Sequence, residues 1–142
     1  MNKTRKRIHR IVALLFTVVL CLSIITPVAS ARGSKYIGNY IYEMTSDGSG
    51  IVTVWASITG VDTMDQIGAI KVVIYENGVK VKTYQHTDTA GMMGYNKYYH
   101  SFHISYQGVV GRSYSAFITY QCGRDGGYDN RSVDTNTVTA IN

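Results

Sequence analysis

The chain has 142 residues, with 14 Lys and Arg against 9 Asp and Glu, for a formal net charge of +5. Five of the basic residues crowd into positions 3–10 and every acid follows them, so the rest of the chain carries no net formal charge. A basic pI would invite nucleic acid or an anionic membrane as partner, but that inference goes with the basic N-terminal residues, and no nucleic-acid partner is expected.

Lys3, Arg5, Lys6, Arg7 and Arg10 are followed by an almost wholly apolar run over 11–25, a break at Pro27, and the small residues Ala29-Ser30-Ala31. Basic, apolar and small-residue segments in that order predict a secretory signal peptide cleaved after Ala31. The apolar run falls short of the roughly 20 residues a spanning helix needs, which disfavours an uncleaved anchor. Leu20 stands before Cys21 where a lipoprotein signal wants a small residue. The expected organisation is a signal peptide helix over 1–31 and one secreted domain over 32–142, extracellular and in contact with the membrane only during export.

After cleavage Cys122 is the sole cysteine. An internal disulfide is impossible, and the thiol is expected to be a buried small hydrophobe; a free sulfur or one paired with another chain is the alternative.

The domain reads in period two. A strand over about 36–45 leads through the turn cluster Ser46-Asp47-Gly48-Ser49-Gly50 into 51–58. There Val52, Val54, Ala56 and Ile58 alternate with Thr53, Trp55 and Ser57, the pattern of a strand buried on one face. A loop is expected over 61–68, then a strand over 69–75 with Ile70, Val72 and Ile74 inward. Asn77-Gly78 predicts a tight hairpin into 79–85, with Lys80, Lys82 and Tyr84 toward solvent. A loop over 86–97 precedes a strand over 98–106, with His100, Phe102, Ile104 and Tyr106 on one face. The next strand, 112–122, carries Tyr114, Ala116, Ile118, Tyr120 and Cys122 on one face. A polar turn over 123–130 and a last strand over 132–141 complete the chain. About seven short strands separated by turn residues predict an all-β, antiparallel β-sandwich.

Gly111-Arg112-Ser113-Tyr114-Ser115-Ala116 resembles the corner of immunoglobulin-like domains, where a tyrosine two residues before an inward small residue or cysteine ties down the preceding connection through its hydroxyl. Ala116 stands in place of the cysteine, so the resemblance is to disulfide-free, fibronectin-type sandwiches. The layout also resembles small exported proteins of Gram-positive bacteria. These likenesses imply an immunoglobulin-like fold and transfer no functional residue.

His100 and His103 lie three apart on a strand and point to opposite faces, so they cannot chelate one ion. His86 with His100 would supply two ligands, short of a zinc site. Asp125, Asp129 and Asp134 offer oxygen ligands for calcium in a glycine-rich segment, but without the order of an EF-hand loop; a plain turn uses the same residue types. No Gly-x-Ser-x-Gly elbow is present, and Glu43 and Glu76, the only glutamates, sit in no suggestive context. The chain therefore reads as a non-enzyme with no cofactor. Its expected function is binding or adhesion to an extracellular protein or glycan through loop ends or an aromatic sheet face, with Tyr95, Tyr98, Tyr99 and Tyr128 as the candidate contact residues. A bacteriocin-like or toxin-like antagonist of another cell's envelope is the alternative.

Overall fold

Among the described residues seven strands are hydrogen-bonded into one antiparallel sheet: β1 (Ile37–Gly48), β2 (Ile51–Glu76), β3 (Val79–Gln85), β4 (Met93–Gln107), β5 (Ser113–Arg124), β6 (Gly127–Asp134) and β7 (Val138–Thr139). The computed structural model describes residues 33–142. The expected signal peptide and its cleavage site lie outside the described residues.

The all-β, antiparallel expectation is borne out, but the strands do not stack as two separate sheets. The reason is β2. Its first part pairs through Gly60 with β1 on one side, and on the other it pairs with β4 as far as Gly68, with an irregularity between Thr59 and Met64. From Gln66 onward β5 takes the place of β1, and from Lys71 β3 takes the place of β4. One 26-residue strand thus threads what alternation alone reads as two strands and a loop over 61–68, and the sheet curls into a half-barrel around it. Along β2 the fully buried apolar side chains are Val52, Val54, Ile58 and Met64, then Ile67 and Ala69, then Val72 and Ile74. Their parity changes twice, the second time where the register against β5 slips between Ala69 and Lys71. Such irregularities sharpen the local twist and let a bent strand keep its apolar side inward.

Two-residue turns join three of the hairpins. Asn77 and Gly78 have φ of 48° and 80°, the left-handed pair that the Asn-Gly signal predicts. Ser49-Gly50 and Asp125-Gly126 adopt the same geometry, so the turn expected over 123–130 is only two residues long and β6 begins at Gly127. The last expected strand divides into β6 and β7. Tyr84, expected to face solvent, is half-buried against the core, because it lies opposite the buried Val72.

The curl brings the free edge of β1 back toward β5 and β6, and side chains close the gap where no strand ladder does. The Asn136 amide accepts from the Met44 N–H and donates to the Met44 carbonyl, both at 2.9 Å, imitating a strand partner. The Tyr120 hydroxyl donates to the Ile41 carbonyl at 3.2 Å. Asp129 receives Ser34 Oγ and the Lys35 N–H at 2.6 Å and the Tyr36 N–H at 2.9 Å. Inside lies a continuous apolar core whose largest fully buried side chains include Tyr114, Tyr120, Met44 and Ile58.

Candidate functional site

With the core face of β1, β2 and β4 turned inward, their register lays out the opposite face as a grid. Asn39, Thr59 and Tyr99 form one row across the three strands, and Ile41, Ser57 and Ser101 the next. Glu43, Trp55 and His103 form the third row, and Thr45, Thr53 and Ser105 the fourth. Alternation dictates this placement, since the intervening residues Val54, Ala56, Phe102 and Ile104 are all buried.

Large apolar groups stand out in this hydroxyl-rich field. Ile41 is 65 %, Trp55 50 % and Tyr99 50 % exposed. The Trp55 indole lies against the His103 imidazole, with ring centroids 4.9 Å apart at 31°. Together with Glu43, Ser57 and Ser101 these residues line an open concavity of about 360 Å³. That volume is within the range of small-molecule sites, although this one is a surface trough and not an enclosed pocket. Among the described residues no Lys or Arg lines it.

The rim beside Trp55 is tied by hydrogen bonds. Thr53 is buried, shares a hydrogen bond with Ser105 Oγ at 3.0 Å and donates to Asp47, which also accepts from Thr45 Oγ1 at 3.0 Å. Glu43 and His103 flank Trp55 from strands on either side of β2, about 10 Å apart by strand spacing. A directly hydrogen-bonded carboxylate–imidazole pair is not what this row presents.

Among the tyrosines singled out from the sequence, Tyr99 lines the concavity. Tyr95, Tyr98 and Tyr128 are exposed, but on strands and not on loops. Tyr95 and Tyr128 end a separate row, Tyr95, Gln66, Gly123, Tyr128, crossing four strands. The four tyrosines therefore do not form one contact surface. Trp55, Ile41, His103 and Glu43 were missed, although an apolar aromatic on the outward parity of a well-alternating strand was itself a signal.

The aspartates considered for calcium do not converge. Asp125 sits in the β5–β6 turn, 85 % exposed and 3.3 Å from Arg124 Nε. Asp129 faces the start of β1, where the Ser34 hydroxyl above all, then the Tyr36 and Lys35 amides and Arg131, holds its carboxyl below the ordinary range. Asp134 lies at the far end of β6, opposite Phe117. Among the described residues no group of three or more His, Cys, Asp or Glu is placed to hold a metal ion.

His100 and His103 do face opposite ways. His100 bonds the Gly91 carbonyl through Nε2 at 2.8 Å, which makes that nitrogen the donor. Cys122 is fully buried beside the Tyr36 carbonyl, and burial, with a smaller contribution from Asp129, pushes its thiol up to about 11.

No protein-family model, no curated protein and no solved structure matches the chain.

Proposed function

We propose that the protein is a secreted, non-catalytic binding module whose contact surface is the outer face of β1, β2 and β4. The observation that carries this reading is Trp55, half-exposed and braced against His103 at the centre of an open trough. Trp55 does not stand alone in water: Ile41 and Tyr99 are exposed beside it in the same trough, and a grouped apolar patch, unlike a single exposed side chain, marks an interaction site. A braced ring also favours contact, because it offers area at little entropic cost. The basic, apolar and small-residue order of residues 1–31 supports the export part of this reading. The Tyr114 corner supports a relationship to immunoglobulin-like modules; the single curled sheet adds no support for it.

The test is co-sedimentation of the protein with purified bacterial cell wall, before and after Trp55→Ala, with the fold of the variant checked by circular dichroism. Saturable binding that falls at least tenfold in the folded variant is expected. Unchanged binding in the variant would place the contact surface elsewhere, and killing of neighbouring cells by the purified protein would favour an envelope-directed antagonist.

A further inference from the structure

We infer that the trough on the outer face of β1, β2 and β4 takes a neutral saccharide chain lying along the strands. This rests on the binding reading above and names the ligand class for the same site.

Four features of the site point the same way. First, the trough alternates flat apolar surface with small polar groups. Trp55 and Tyr99 are four residues of strand and one strand apart, about 14 Å between backbones. Two exposed rings at that separation suit an extended ligand with repeated apolar faces better than a single small molecule. Second, Ser57, Ser101, Glu43 and His103 supply donors and acceptors between and beside the rings. A sugar ring presents that combination: a face of C–H groups for the aromatic ring, and a rim of hydroxyls for carboxylate, imidazole and serine.

Third, charge disfavours anionic ligands. Among the described residues the trough contains one carboxylate, Glu43, and neither Lys nor Arg, so phosphate-rich polymers and anionic lipid surfaces meet no compensating cation. Fourth, the trough is open and shallow and offers no deep apolar cavity for a peptide anchor of the kind that dominates protein–protein hot spots. A neutral polyhydroxylated chain is the ligand whose hydroxyls can hydrogen-bond the Glu43 carboxylate, the His103 imidazole and the two serines while bringing no anion against Glu43.

Trp55 is the only tryptophan in the chain, so its fluorescence reports this site alone. The experiment is titration of the purified protein with cellohexaose, chitohexaose and maltohexaose, following Trp55 emission, and repeating the series at high salt and with Tyr99→Ala. At least one hexasaccharide is expected to give a saturable change that weakens by at least threefold in Tyr99→Ala and is insensitive to salt. If none of the three changes the emission while cell-wall binding still depends on Trp55, the ligand class is overturned and the binding reading stands. If cell-wall binding is indifferent to Trp55→Ala, the binding reading itself fails. Emission that instead shifts with protein concentration, in step with dimer formation by sedimentation, would show that a second copy occupies the trough and would also overturn the saccharide assignment.

Discussion

Val109 donates its backbone N–H to the Tyr114 hydroxyl at 2.8 Å, and that hydroxyl donates in turn to the Glu76 carboxylate. The tyrosine is fully buried, and a Cβ on Gly108 would lie 2.7 Å from its ring, so the β4–β5 connection fits against it only with glycine at that position. Hydrogen bonds from Tyr114 first and then Arg112 hold the Glu76 carboxyl below its ordinary range, while burial first and then Glu76 raise the Tyr114 phenol. Tyr114→Phe would keep the packing and leave the Val109 N–H and one Glu76 oxygen without their partner. A loss of about 0.5–1.5 kcal/mol, the net worth of an ordinary intramolecular hydrogen bond, is expected. Urea unfolding of the two proteins checks it, and a difference near zero would contradict a structural role for the hydroxyl.

Asp129 ties the start of β1 to β6 with three hydrogen bonds, and its lowered folded-state pKa makes the tie pH-dependent. The unfolded chain binds this proton more readily than the folded one, with a midpoint of about 3.9. The stabilisation is therefore complete above that value and disappears as the pH falls through the folded-state midpoint. The stability gap between wild type and Asp129→Asn is expected to be widest near neutrality and to close in acid. Thermal melts across that range test this; a gap independent of pH would contradict it.

Asn136 occupies the place of a strand partner at Met44. Its replacement by alanine leaves a backbone N–H and carbonyl of the β1 edge open, at a cost of about 1–3 kcal/mol. Faster hydrogen exchange at the Met44 amide is the local readout, and a greater tendency to associate through the uncovered edge is the global one.

Cys122 is expected to be unreactive in the folded protein, since its thiol is fully buried and pushed up to about 11. Iodoacetamide should leave the native mass unchanged and label the protein once denaturant is added. Rapid labelling without denaturant would show that the start of β1 opens away from Cys122.

Much of this fold was legible in the alternation of side chains. Val52 to Ile58, Phe102 with Ile104, and Tyr114 to Cys122 bury the faces their spacing indicates, and Asn77-Gly78 turns as its residue types require. The continuity of β2 was not legible. Residues 61–66, Val-Asp-Thr-Met-Asp-Gln, carry mostly polar side chains, and their pairing with β4 and β5 depends on partners remote in sequence. Without that continuity the strands sort into two sheets, and the sandwich expectation follows from that division. The candidate site was half legible for a related reason. Period two puts Trp55 outward, but only the register across β1, β2 and β4 gathers Ile41, Glu43, His103 and Tyr99 around it. Composition could suggest that Asp129 was a metal ligand; its three bonds to Ser34, Lys35 and Tyr36 span more than ninety residues, and no local pattern announces them.

Acrylamide quenching of the lone tryptophan, with and without saturating cell wall, measures the proposed contact surface most directly. Trp55 is half-exposed in the free protein, so strong quenching is expected there and marked protection once the protein is bound. Equal quenching of the free and the fully bound protein would mean that Trp55 faces water in both, and that the outer face of β1, β2 and β4 is not where this protein makes its contact.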